Sequence, residues 1–149
     1  MDKIKKTVIE LFKDKTDRGG NPYIGHLLRV AQEAEALQAG SYLTGILHDT
    51  LEDTDFNEED LLKLGVDNQD ITRVRVLTKK NHDVYGDYIN RINKYATEHK
   101  DKIILAVKIA DLNDNLNVAR LKSLNTRDLA RLKRYIKAKA KLSKTFEEL

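Results

Sequence analysis

Residues 103–110, Ile-Ile-Leu-Ala-Val-Lys-Ile-Ala, decide the kind of fold this chain has. Their β-branched side chains and near-continuous hydrophobicity suit a buried strand, and they suit a buried helix as well. Periodicity does not separate the two readings, but partners do. A strand needs neighbours, and no other segment of the 149 residues offers a convincing one. The run is therefore read as a central buried helix, and the chain as all-α.

Working outward from it, the other segments carry helical signals. Residues 2–15 show helical periodicity through Ile4, Val8, Leu11 and Phe12. Asp17-Arg18-Gly19-Gly20-Asn21-Pro22 is a dense turn signal holding the only proline. A second helix starts near Tyr23, with Ile24, Leu27, Leu28 and Ala31 on one face, and Gly40 ends it. A third is predicted from Tyr42 to Asp53. Asn57 with Asp60 resembles a capping box for a short fourth helix, and Asp67 is placed to cap a fifth. Thr78 to Asp83 reads as a polar loop, Val84 to about Glu98 as another helix, and the stretch from Thr126 onward as the last. With no repeat and no low-complexity linker, one domain spanning residues 1–149 is expected.

Composition narrows the function. Cysteine is absent, so neither a disulfide framework nor a thiolate metal site is available, and any metal falls to His, Asp or Glu. No apolar run approaches the roughly 20 residues that span a bilayer. The start, MDKIKKTVIELFKDK, lacks the apolar core of a signal peptide, so a cytoplasmic protein is expected. Net charge is only +3 but unevenly spread. Residues 49–60 are acidic without a base among them, whereas residues 119–144 are strongly basic. The basic stretch reads either as a solvated helix face or as a surface for anionic partners.

The third helix carries the chemistry. On a wheel at about 100° per residue, Leu43, Ile46, Leu47 and Leu51 form one continuous apolar arc. Gly45, His48, Asp49 and Glu52 occupy the opposite arc, with Asp53 just beyond, and the glycine is expected to leave space above that face. An imidazole and a carboxylate in sequence can both reach a metal off the helix edge. Glu52, one turn after His48, can enter the same space without being a ligand, where a group that orients or deprotonates an attacking water belongs.

A second His-Asp pair, His82-Asp83, lies in the polar TKKNHDVYG segment and is read as a loop pair with Asp83 capping the next helix. Two further candidates would complete a site around His48 and Asp49. His26 lies near the start of the second helix and reads either as a ligand or as a core histidine bonded to a backbone carbonyl. Asp111 follows the most hydrophobic segment, where an unpaired carboxylate is costly to bury. A metal would offset that cost, and so would a salt bridge, for instance with Lys108.

Taken together, PYIGHLLRVA with His26, ILHDTLEDTD with His48 and Asp49, and KIADLNDNL with Asp111 resemble the motifs of the HD superfamily of metal-dependent phosphohydrolases. The resemblance runs from about Thr16 to the final helix. It is strongest to the RelA/SpoT-type (p)ppGpp hydrolase domain and its small single-domain relatives, which remove a 3′-pyrophosphate. It implies an HD-type helical bundle with a buried central metal site, held by His26, His48, Asp49 and Asp111 and usually occupied by Mn²⁺. It implies that Glu52 and Asp53 act on the attacking water. It also implies that Asn115 contacts the nucleotide, with Arg18, Lys79 and Tyr135 on the substrate side. There are departures: Asp17 stands where these enzymes carry an Arg that packs on guanine, and Leu112 and Asn117 stand at usually basic positions.

The chemistry of the donor set agrees. Two imidazoles and two carboxylates suit Mn²⁺, Fe²⁺ or Zn²⁺. Four protein ligands leave positions open only in a five- or six-coordinate ion, which favours Mn²⁺ or Fe²⁺. The first expectation is a (p)ppGpp-like 3′-pyrophosphohydrolase acting on a small nucleotide, with neither membrane nor nucleic acid as partner. An HD hydrolase of another nucleotide or phosphorylated metabolite is the second expectation. A non-catalytic nucleotide- or RNA-binding helical module is the third, and it would have no need of Glu52 and Asp53.

Overall fold

A computed structural model describes residues 1–149 as helices joined by short connections. In order these are α1 (Asp2–Phe12), α2 (Tyr23–Leu37), α3 (Tyr42–Leu47), α4 (Thr50–Asp53), α5 (Glu58–Lys63) and α6 (Asn68–Leu77). They are followed by α7 (Tyr85–His99), α8 (Lys102–Asn115), a 3₁₀ turn at Val118–Arg120, and α9 (Thr126–Glu148). The sole β feature is an isolated antiparallel bridge between Thr16 and Pro22, which closes the turn before α2.

The ambiguous run lies inside α8. Asp101 caps the helix, its Oδ1 accepting from the Ile103 and Ile104 N–H groups at 3.0 and 3.2 Å. Every residue from Ile104 to Leu112 is buried. α8 packs against α2 and α9 above all, and also against α3, α6 and α7. A helix enclosed on all sides needs no polar stripe, and that is why its sequence lacks a helical period. The apolar core forms two clusters. One gathers Leu105, Ile109 and Leu112 of α8 with Ile89 and Ile92 of α7 and Leu142 of α9. The other gathers Ile4, Val8 and Phe12 of α1 with Leu27, Ile46, Leu61 and Val74. α2 joins them, giving Val30 and Ala34 to the first and Leu27 and Ala31 to the second.

The capping expectations hold at two places. Asn57 and Asp60 form a reciprocal capping box on α5, and the Asp67 side chain accepts from Asp70 N–H at the start of α6. Asp83 does not cap α7. It accepts from Lys80 N–H at 2.9 Å and pairs with Arg91 at 3.0 Å, so it closes its own loop.

Residues 42–53 are not one helix. The chain breaks at His48-Asp49, where Asp49 has φ −100° and ψ 1°. Side-chain donors occupy the carbonyls that the ladder would use. His48 Nδ1 bonds Gly45 O at 2.6 Å, and Thr50 Oγ1 donates to Leu47 O at 2.8 Å. Gly45 also plays a different part from the one its wheel position suggested. A Cβ there would lie 2.8 Å from Ala31 Cα and 3.3 Å from Ala31 N. The glycine therefore lets the backbones of α3 and α2 meet, rather than leaving space above a catalytic face.

Candidate metal centre and the cavity above it

Three elements deliver four donor atoms to one point. α2 carries His26, the α3–α4 break carries His48 and Asp49, and α8 carries Asp111. Around a ring, His26 Nε2 is 3.1 Å from Asp111 Oδ1, which is 3.4 Å from His48 Nε2. His48 Nε2 is 3.1 Å from Asp49 Oδ2, which is 3.6 Å from His26 Nε2. Atoms sharing an ion at about 2.1 Å stand about 3.0–3.4 Å apart, depending on coordination geometry, so this spacing fits a common cation.

The outer bonds fix which atoms face inward. A carbonyl can only accept, so His48 Nδ1 carries the proton in its bond to Gly45 O. His26 Nδ1 lies 2.6 Å from Asp114 Oδ2 and donates to it likewise. Both Nε2 atoms therefore face the centre. His48 Nε2, fully enclosed, has no hydrogen-bond partner, and a metal would satisfy that atom. Asp111 is held from outside by Lys108 Nζ on Oδ2 at 2.7 Å and by Asn115 Nδ2 on Oδ1 at 3.1 Å. Asp49 Oδ2 accepts from the Tyr23 hydroxyl at 2.7 Å.

The electrostatics ask for positive charge at this point. Burial opposes the imidazolium form of His26, but hydrogen bonds to Asp111, Asp114 and Asp49 outweigh it and push the group up to about 11. Burial likewise opposes charge on His48, and the Asp49 and Asp111 carboxylates push it up to about 10. Burial also opposes ionisation of Asp49 and Asp111. The His48 and His26 imidazoles outweigh it for Asp49, and Lys108 with the same imidazoles does so for Asp111, holding both well below the usual carboxylate range. Without an ion, protons supply the positive charge, so a cation would displace them.

Beside the centre stand Glu52 and Asp53, which with Asp49 form a second group of carboxylates within 4.8 Å of one another. Glu52 Oε1 accepts from Lys79 N–H at 2.8 Å. Burial raises both carboxyls above their ordinary values, partly offset at Glu52 by the Lys79 N–H and at Asp53 by Tyr23. Above them opens a cavity of about 660 Å³. His26, His48, Asp49, Asp111, Glu52, Asp53, Arg18, Lys79, Asn115 and Tyr135 all line it.

The cavity also holds residues that sequence reasoning left out. Lys108, expected only as a salt-bridge partner of Asp111, is one and lines the cavity as well, and that pairing coexists with the inward face of Asp111. Tyr23, which lines the cavity, and Asp114, which lies behind His26 and outside the lining, fall within the quoted motifs but no spacing rule singles them out. Tyr85 stacks obliquely on Tyr135 at 5.8 Å between ring centres, and burial pushes its hydroxyl up to about 12. Arg131 stands one helical turn before Tyr135 on α9, and it, rather than Lys133 or Arg134, lines the cavity with Tyr135. Asp17 also lines the cavity. Its Oδ1 accepts from the Gly19 and Asn21 N–H groups at 2.9 Å each, which ties it into the turn before α2.

No protein-family model and no curated protein sequence matches this chain. Among solved structures the chain is similar to a metazoan ortholog of SpoT, a protein that hydrolyses ppGpp and plays a role in starvation responses. The two share 20% identity with a TM-score of 0.67, over 99% of this chain and 93% of that one. What the likeness shows is the fold: this chain is an all-helical bundle that shares its architecture with that protein.

Proposed function

We propose that this chain is a metal-dependent phosphohydrolase acting on a phosphorylated nucleotide, with a 3′-pyrophosphorylated guanosine nucleotide as the first substrate to test. The observation that carries the reading is the convergence of two imidazole nitrogens and two carboxylate oxygens, one nitrogen without any partner, at the floor of a cavity. A divalent cation bound there, Mn²⁺ being the first choice, would polarise a phosphoryl oxygen and lower the pKa of water. His26, His48, Asp49 and Asp111 would hold it.

The chain's own groups supply the rest. Glu52 has one carboxylate oxygen fixed by Lys79 N–H, which leaves the other to take a proton from the attacking water. Its raised pKa makes it a better base than an exposed carboxylate. Asp53 stands beside it within the same acidic group. Arg18, Lys79, Arg120 and Arg131 line the cavity as a set of cations for the phosphates. Asn115 holds Asp111 on one side and faces the cavity on the other. Tyr135 and Tyr85 give an aromatic wall suited to a ring.

The fixed orientation of Asp17 favours a second reading within the same chemistry, a nucleotide whose base is not clamped from that side. The deciding experiment incubates the protein, loaded in turn with Mn²⁺, Fe²⁺ or Zn²⁺, with ppGpp and a panel of other nucleotides, and detects phosphate and pyrophosphate separately. Pyrophosphate from ppGpp supports the first reading, and phosphate release from other nucleotides alone supports the second. No turnover of any compound with any of the three metals refutes both.

A further inference from the structure

His26 is one of the proposed ligands, and the group behind it is built with unusual care. Asp114 is buried at the end of α8, three residues after Asp111. Its Oδ2 accepts the His26 Nδ1 proton at 2.6 Å. Arg29, one turn after His26 on α2, forks onto it, with Nε to Oδ1 at 2.7 Å and Nη2 to Oδ2 at 3.2 Å. Arg120 adds Nη1 to Oδ1 at 3.4 Å, Nη2 to Oδ2 at 3.3 Å, and Nη2 to the Asp114 carbonyl at 2.9 Å. One carboxylate thus receives an imidazole and a guanidinium from α2 and a second guanidinium from the 3₁₀ turn.

We infer that Asp114 is the positioning residue of the metal centre: clamped by Arg29 and Arg120, it fixes the ring of His26 so that Nε2 faces the ion. The inference rests on the metal-centre reading above. With both guanidiniums donating to the carboxylate, the remaining short contact, at 2.6 Å, engages Nδ1 of His26 and leaves Nε2 on the opposite edge of the ring toward the ion. The bond also sets the rotation of the ring about its own axis, which α2 alone leaves free. His48 needs no such carboxylate, because the Gly45 carbonyl does the same for it. Arg120 extends the arrangement. It lines the cavity and stands 3.8 Å from Asp17, so Arg120 joins the turn before α2 to the carboxylate that holds His26.

A purely structural ion cluster would change stability on substitution and leave metal affinity alone. The test therefore measures Mn²⁺ affinity directly, by competition against a chelator indicator, for the parent and Asp114→Asn. Thermal melting in EDTA is recorded beside it. Substitution of such an outer partner lowers metal affinity by about 10–100-fold, and that loss is expected here. Arg29→Gln, at a side chain 44% exposed, is expected to lose affinity in the same direction by less, and it carries the test if Asp114→Asn does not fold.

A second readout needs no metal. The strong bond from His26 Nδ1 to Asp114 should give a far-downfield proton signal, absent in Asp114→Asn or shifted upfield, and absent in His26→Ala. Unchanged Mn²⁺ affinity in Asp114→Asn, or in Arg29→Gln where that variant carries the test, overturns the inference. A parent protein that takes up no Mn²⁺, Fe²⁺ or Zn²⁺ while showing the downfield proton refutes the metal reading, and the role of Asp114 toward an ion goes with it.

Discussion

Replacing Gly45 with alanine tests whether close contact between α3 and α2 sets the geometry of the centre. Two effects oppose each other. Alanine in a helix is favoured over glycine by about 1 kcal/mol. Against this, the new Cβ would sit 2.8 Å from Ala31 Cα, 3.3 Å from Ala31 N and 3.4 Å from Ala31 Cβ. The first two are backbone atoms of a neighbouring helix and cannot rotate away, so α3 must shift. Overpacking of this kind costs about 1–3 kcal/mol, and a backbone clash belongs at the upper end of that range.

The net expectation is a loss of about 1–2 kcal/mol, which for a chain of this size lowers Tm by about 2–8 °C. Because α2 carries His26 and α3 leads directly into His48 and Asp49, the same shift should weaken Mn²⁺ binding. Urea unfolding in EDTA measures the first effect, and chelator competition the second. A Gly45→Ala protein as stable as the parent, or more so, would show that helix propensity wins and that this contact does not fix the two helices.

Glu52→Gln keeps the bond from Lys79 N–H and removes the basic carboxylate, so it should retain Mn²⁺ and lose turnover by about 10²–10⁴-fold; unchanged turnover on every responsive nucleotide sinks the mechanism. Asp53→Asn should behave similarly, and the double variant should lose less than the product of the single losses, since groups acting as a unit are not additive. Asp49→Ala should lose metal and activity together, and equal metal content in parent and variant would remove Asp49 from the centre. The raised carboxyls of Glu52 and Asp53 must be ionised to accept a proton, so kcat/KM should fall as pH drops through a value above the ordinary 4.5 of a glutamate. That acid limb should be displaced in Glu52→Gln, and identical profiles for the two proteins would place the titrating group elsewhere.

The fold class was legible in the sequence because most helices here are amphipathic and end at marked residues. Ile4, Val8 and Phe12 are spaced to one face, and Asn57 and Asp67 supply real caps. α8 was the hard case for a physical reason. A helix that neighbours enclose completely carries no periodic signal of its own, and only the lack of strand partners decided it. The three motifs also marked the donor residues, since His and Asp placed beside apolar runs are chemically conspicuous.

What the sequence determined by itself was the all-helical class, the cysteine-free oxygen and nitrogen donor set, and the residues able to form a centre. Tertiary structure decided how they face. The break at His48-Asp49 depends on side chains capturing Gly45 O and Leu47 O, and it turns two adjacent residues toward one point, which a continuous helix would hold about 100° apart. The role of Gly45 depends on Ala31, fourteen positions earlier in the chain. Asp114 looked like any helix carboxylate until His26, Arg29 and Arg120 met around it. Spacing along a chain reports which residues share one helix face, but the angle and distance between faces come from how helices pack, and no local pattern encodes that.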